Sequence, residues 1–131
     1  MQASLCEWLP ACDRRYIESN GYTVDCIEHS NQKAVVIRDF ELPRDRFNIT
    51  HSDILILLPP AYPDAPPDMF YADPWIHLKP SGRYPNQADQ PHRFGDRVWQ
   101  RWSRHSSEWR PGVDGLRTHV RRVRTAMETA K

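Results

Sequence analysis

The sequence predicts an α+β domain: an N-terminal helix, an antiparallel four-stranded meander, a long irregular segment and a C-terminal helix. Three observations predict it. Helical patterns lie at both ends of the chain. Between the first of them and residue 73 lie four short strand-like runs separated by turn residues. The third run, Ile54-Leu55-Ile56-Leu57-Leu58, has no polar face and leads directly into five of the chain's twelve prolines, all within residues 59–67. Strands bounded by helices place the helices on one face of a sheet.

The elements follow in order. Residues 3–19 are helical in part, with Pro10 near a helix start and Asp13 to Glu18 forming the last turns. Asn20-Gly21 stops that helix. Tyr22 to Glu28 alternates as a strand with one semi-polar face does. After a turn at Ser30-Asn31-Gln32, Lys33 to Leu42 forms a second strand centred on Ala34-Val35-Val36-Ile37 and broken by Pro43-Arg44-Asp45. Ser52 to Leu58 is a third, deeply buried strand. The prolines after it predict a rigid, extended connector, because proline cannot donate to a ladder and restricts the residue before it. A free-standing polyproline ligand would instead sit in disordered sequence. Asp68-Met69-Phe70-Tyr71-Ala72 is a short fourth strand ended by Asp73-Pro74.

Residues 75–111 hold four of the five tryptophans and show little periodicity. A long irregular stretch inside a domain is usually functional or tied down by its own side chains. Gly112 to Ala130 forms the closing helix, with Val113, Leu116, Val120, Val123 and Met127 on one face.

Composition bounds the rest. The 131 residues suit a single domain over 1–131, and 39% hydrophobic residues can fill one core. A net charge of +1 with 27% charged residues argues against disorder. No stretch reaches the ~20 apolar residues of a membrane span. Met1 to Cys6 lacks a basic start followed by an apolar run, so no secretory signal is expected. Cys6, Cys12 and Cys26 are odd in number and front-loaded, which does not read as a disulfide framework and favours a cytoplasmic setting. Cys6 and Cys12 are a weak zinc signal, and neither metal nor cofactor is expected.

Charge is unevenly spread. Residues 1–91 carry eight Lys/Arg against thirteen Asp/Glu, and residues 92–131 carry ten against four. The basic half is nearly all arginine, which forks carboxylates and phosphates. It suits an acidic partner or nucleic acid, or else a solvated helix face paired internally with the acidic half.

The motif Pro59-Pro60-Ala61-Tyr62-Pro63-Asp64-Ala65-Pro66-Pro67, after a helix and a meander, resembles the Pro-x-x-Tyr-Pro-x-x-Pro-Pro pattern of the ubiquitin-conjugating (UBC) fold. Met69-Phe70-Tyr71 then stands as a strand with an aromatic. Gly95-Asp96-Arg97-Val98-Trp99-Gln100 stands where that family has its glycine, its aliphatic residue and its catalytic cysteine. Trp109-Arg110-Pro111 resembles the Trp-x-Pro that follows. Phe40-Glu41-Leu42-Pro43, Pro67-Asp68-Met69-Phe70 and Trp99 to His105 resemble the bacterial branch called prokaryotic E2 family E. The resemblance implies a UBC-like component of a bacterial ubiquitin-like modification system. Its implied partners are a ubiquitin-like or multi-ubiquitin protein, an adenylating activating enzyme and a JAB-type metalloprotease.

Conjugation needs a thiolate that accepts an acyl group and yields it to an amine. By the resemblance, Trp99 occupies the cysteine position, and no cysteine follows Cys26. In the family's His-Pro-Asn segment His77 is in place but Leu78 and Lys79 follow it, so the oxyanion-steadying asparagine is missing. Asn86, in Tyr84-Pro85-Asn86, is a substitute a few residues on. Ser103 and His105 form a Ser/His pair without an orienting carboxylate. His77, Ser103 and His105 are thus the catalytic candidates. Each histidine also has a plain reading, His77 packed against Trp75 and His105 bonded to backbone.

Trp99, Arg101, Trp102, Arg104 and Tyr62 are the candidate partner-binding residues, because tryptophan and arginine most often carry interface energy. The two indoles either fill the groove or anchor a partner. Three readings follow: a non-catalytic pseudoenzyme that binds a ubiquitin-like protein or its activating enzyme; a conjugating-type enzyme with an unorthodox nucleophile or a positioning role; and an arginine-rich nucleic-acid-binding domain.

Overall fold

In the computed structural model, which describes residues 6–106 and 108–131, Pro10 precedes helix α1 (Ala11–Ser19). Then come β1 (Thr23–His29), β2 (Gln32–Glu41), β3 (His51–Leu58), β4 (Phe70–Asp73), β5 (Gln90–Phe94), β6 (Arg97–Trp102) and α2 (Leu116–Glu128). The class is α+β, as the strand runs between two helices predict. The sheet, however, has six strands in the order β1-β2-β3-β4-β6-β5, not four.

The two additional strands arise inside residues 75–111, which the sequence reading leaves irregular. A two-residue turn, Gly95-Asp96, joins them, and Gly95 supplies the positive φ (+64°) that tight hairpins take at the first turn position. β6 docks beside β4, with Phe70 opposite Trp102 and Ala72 opposite Gln100. β5 is left at the edge, where Pro91 costs no ladder bond. Pro91 and the weak apolar alternation of β5 explain why it does not read as a strand.

The sheet has two unlike faces. Val24, Val35, Ile37, Phe40, Ile54, Ile56, Phe70 and Trp102 pack with Ile17 of α1 and with Leu116, Val120, Val123 and Met127 of α2. The opposite face gathers Ala34, Val36, Leu55, Tyr71 and Trp99. Beside that second cluster Arg97 bonds Asp53 (3.1 Å) and Asp73 (2.8 Å), while Arg38 bonds Asp25 (2.6 Å) and Asp53 (3.4 Å). Part of the basic half is therefore matched internally by the acidic half. A bulge at Asp39 (φ 55°), whose N–H donates to Asp53, shifts the β2–β3 register and turns Phe40 back into the main core.

The closing helix begins at Leu116 rather than Gly112. Val113, expected on its apolar face, is 66% exposed. Asp114 holds the preceding turn by accepting from the Arg110 N–H (2.8 Å). At the other end Arg46 donates to the Met127 carbonyl (3.1 Å) and to that of Ala130, closing the helix C-terminus. No described helix is long and apolar enough to cross a membrane.

Two further expectations are corrected. Cys6 and Cys26 form a disulfide, with Cα atoms 5.4 Å apart, within the ordinary range. Twenty residues separate them in sequence, and only the packing of the segment before α1 against β1 brings them together. The cytoplasmic expectation rested on their being unpaired. The proline run is also not extended. Tyr62 N–H donates to Pro59 (2.9 Å) and Asp64 N–H to Ala61 (2.8 Å), folding the run into consecutive turns. Pro60 sits second in the first of these, the position its fixed φ favours.

Those turns deliver Tyr62 to Asp13, a carboxylate only 2% exposed. The Tyr62 hydroxyl donates to Asp13 Oδ2 (2.5 Å), and Asp13 Oδ1 accepts the Leu116 N–H (3.0 Å) at the start of α2. Asp13 thus caps α2 from α1, favourable for a negative charge at a helix N-terminus. Gly115 permits the approach, since a Cβ there would lie 2.7 Å from Asp13 Oδ1. Burial, and then the bond to Asp13, raise the Tyr62 pKa well above the usual tyrosine value. Tyr62→Phe removes the nearest donor from a buried carboxylate. We expect a loss of about 1.5–3 kcal/mol in urea unfolding; unchanged stability would show that this bond contributes nothing.

Candidate functional site

The segment after β6 runs back across the proline turns and then along α2. Trp109 donates its indole N–H to the Pro63 carbonyl (2.9 Å), and its ring lies 6.4 Å from that of Tyr62. On its other side the Arg122 guanidinium stands 5.6 Å from the ring centre. The Trp-x-Pro-like segment is therefore a strap fastened to the proline turns.

Between the chain around residues 67–70, the segment 104–106 and α2 lies a groove of about 330 Å³. Pro67, Phe70 and Ala126 give it apolar walls, and Arg104, His105, Arg121 and Arg122 make it basic. Arg104 stacks over Trp102 at 5.2 Å. Its pKa is lowered by burial, and among the described residues no carboxylate pairs with Arg104, Arg121 or Arg122. His105 Nδ1 meets Asp68 Oδ1 at 2.7 Å at the exposed rim.

His119 also lines the groove. It is 4% exposed, and Nε2 lies 2.9 Å from the Met69 carbonyl. A carbonyl only accepts, so Nε2 carries the proton. Nδ1 is buried without a partner. Burial pushes the His119 pKa down to about 4, with nearby Arg122 adding to the effect against the opposing Met69 bond and Asp68 charge.

Because its folded pKa lies below the unfolded value, the unfolded chain binds the extra proton. The stabilisation is complete above the unfolded pKa of about 6.5 and is lost as pH falls toward 4. We expect His119→Gln to flatten stability between pH 7 and 4.5 relative to the parent protein, read from urea unfolding. Equal slopes would assign the pH dependence elsewhere.

The sequence-derived candidates are scattered. Trp99 is 1% exposed in the interior of β6, opposite His92. Arg97, itself held by Asp53 and Asp73, lies 4.2 Å above its ring. Trp102 is fully buried on the opposite face, stacked with Phe70 at 5.1 Å. Neither indole reaches the surface, because strand alternation sends residues three apart to opposite faces and both faces are packed. Both indoles lie in the interior, so neither fills the groove nor stands at the surface as an anchor. Arg101 lies on the Trp99 face opposite Tyr71, its Nε buried without a partner. Tyr62 is engaged with Asp13. Arg104 alone of the five lines the groove.

His77 packs on Tyr84 (4.6 Å) rather than on Trp75, and its N–H donates to Asn48 (2.7 Å). Ser103 bonds through its backbone N–H to Gln87. No hydrogen bond joins the Ser103 hydroxyl to His105 among the described residues. Asn86 is exposed, and its N–H donates to Lys131. Among the described residues, no three His, Cys, Asp or Glu side chains gather as metal ligands.

A family model described as prokaryotic E2 family E matches residues 9–130, nearly the whole chain. The chain belongs to prokaryotic E2 family E. This E2-like membership indicates a component of a ubiquitin-like conjugation system, and in general interaction with ubiquitin-like proteins and activating enzymes. No curated protein and no solved structure matches this family E protein.

The groove of the family E protein contains His119, which the sequence reading missed, together with Arg121 and Arg122 of the arginine-rich half, and Asp68 meets His105 at its rim. One signal was present. His119 falls on the apolar stripe of Leu116, Val120 and Val123, where a lone histidine must be buried.

Proposed function

We propose that this chain is a single UBC-like domain over residues 1–131 and a non-catalytic member of its family, binding a ubiquitin-like protein or the activating enzyme that loads it. The observation that carries this reading is the setting of Trp99. The position matched to the nucleophile is a buried indole inside a paired strand. Of the chain's three cysteines, Cys6 and Cys26 are joined to each other, and Cys12 is exposed on α1. The thioester route therefore has no thiol at that position. The basic groove at Arg104 and Arg122 supports a binding role.

The test combines the purified protein with its cognate activating enzyme, ubiquitin-like protein and ATP, followed by a non-reducing gel. The expected result is no adduct, with the protein retained on the immobilised partner. A reductant-sensitive adduct that disappears on Cys12→Ser would overturn the reading. A hydroxylamine-sensitive, reductant-resistant adduct lost on Ser103→Ala would replace it with a hydroxyl-based enzyme. Salt-sensitive binding to DNA, without binding to either protein partner, would favour the nucleic-acid reading.

A further inference from the structure

Helix α1 is too short to stand alone. Its nine residues fall below the about 12–15 that an isolated helix needs in water. Pro10 at its start offers no side-chain cap, and only Asp13 and Ile17 of its side chains are buried. Tertiary anchors therefore set its place. Ile17 enters the main core, and Tyr16 packs edge-on against Tyr22 at 5.9 Å. Asp13 joins α1 to the Tyr62 hydroxyl and to the Leu116 N–H. The remaining anchor is the turn before the helix, where the Leu9 N–H donates to the Cys6 carbonyl (3.2 Å). Leu9 is buried there, and Lys33 stands over Trp8 at 5.5 Å. One covalent bond fixes this turn to β1, and the chain between Cys6 and Cys26 contains the whole of α1.

We propose that the Cys6–Cys26 bond is a redox latch: closed, it holds α1 on the sheet and the Asp13 carboxylate on the N-terminus of α2, and opened by a dithiol it lets α1 and its preceding turn leave that position. Cys6 is 1% exposed and Cys26 is half-buried, so the attack falls on Cys26. One thiolate of the dithiol forms a mixed disulfide with Cys26 Sγ and expels Cys6 as a thiolate. The second thiolate then closes on the first and expels Cys26. Two electrons pass to the protein, the two protons of the dithiol end on Cys6 and Cys26, and the reagent leaves as its own disulfide. A small disulfide reverses the exchange, so the latch follows the surrounding thiol–disulfide balance. Opening reaches α2 because Asp13 is its cap. Gly115 at the start of that helix has no side chain to take over the Leu116 N–H. The latch neither uses nor needs the binding reading given above, so the two fail separately.

The test is amide NMR of the full chain at pH 7 with and without dithiothreitol, preceded by thiol titration in urea. One thiol should react before reduction and all three after it. In the reduced protein the α1 and Leu116 amides should move toward random-coil positions, and Leu116 should exchange with solvent at least tenfold faster. The amides of Ile54 to Leu58 in β3 should keep their positions. Oxidised glutathione should restore the first spectrum. The urea midpoint should fall by at least about 1 M on reduction, the scale for a closed loop of this length. Cys26→Ser should place the α1 and Leu116 amides as in the reduced protein, with or without the reagent, and Cys12→Ser should respond as the parent does. Three reactive thiols before reduction would overturn the proposal, as would a bond that dithiothreitol cannot open in the folded protein. Reduction that leaves the α1 and Leu116 amides in place would make the bond a passive staple. Loss of the whole folded spectrum would make it a condition of folding. Either result would also overturn the latch.

Discussion

Trp99→Cys will put a thiol at the position matched to the nucleophile and will not create a conjugating enzyme. Residue 99 lies inside β6, opposite His92, and its side chain points into the cluster of Ala34, Val36, Leu55 and Tyr71. A cysteine there is walled by those residues and by Arg97, which stays pinned by Asp53 and Asp73. An activating enzyme cannot bring an acyl group to a sulfur it cannot reach, and a thiol in apolar surroundings stays protonated. The substitution also leaves a cavity the size of most of an indole and removes the ring under Arg97. We expect a loss of about 3–5 kcal/mol, the scale of large-to-small changes at buried aromatics. The two readouts are urea unfolding and the non-reducing gel with activating enzyme, ubiquitin-like protein and ATP. A reductant-sensitive adduct on a variant of unchanged stability would mean that residue 99 is accessible, and the account of β6 would be wrong.

Gln100→Leu will be the most damaging nearly isosteric change in the sheet. The Gln100 amide is fully buried and serves three backbone groups. Its Oε1 accepts the Ile76 N–H (2.8 Å), and its Nε2 donates to Ile76 (3.0 Å) and Ala88 (2.8 Å). Those bonds hold the irregular chain between β4 and β5 against the core. Leucine fills the space and leaves three buried backbone groups unpaired, each costing about 1–3 kcal/mol. We expect a loss of at least about 3 kcal/mol and earlier hydrogen exchange at residues 76 and 88. Gln100→Glu separates charge from shape: it keeps the acceptor, loses the two donors and buries a charge, so it should be at least as destabilising. If Gln100→Leu left stability within about 0.5 kcal/mol of the parent, the usual range of surface substitutions, these bonds would not hold the loop.

Periodicity and punctuation made much of this fold legible. The aliphatic run at Ile54–Leu58 could only be a buried strand, and Leu116, Val120, Val123 and Met127 could only be one face of a helix. The proline motif carried the family resemblance, which the family match over residues 9–130 bears out. The β5–β6 hairpin was not legible. β5 reads Gln-Pro-His-Arg-Phe, and such a run becomes a strand only because β6 offers it a partner. Nor was the Cys6–Cys26 bond, which depends on where the chain before α1 is packed.

The candidate site divides in the same way. Arg104 and His105 stood out as local chemistry, and both line the groove. Trp99 and Trp102 stood out more strongly and are both interior, because the fate of an indole depends on whether a second layer covers it. His119 and Arg122 join the groove only through the packing of α2 against the Phe70 strand, about fifty residues away in sequence.

By itself, the sequence determined the α+β class, the helices at the two ends, the proline motif and the lack of any cysteine after Cys26. Those are properties of neighbouring residues, set by period, by φ restriction and by composition. Tertiary structure alone decided the number of strands, the burial of Trp99, the capping of α2 by Asp13 and the basic groove with its unpartnered imidazole. Each of these joins residues far apart in the chain, and its energy exists only once the sheet and helices have excluded water between them.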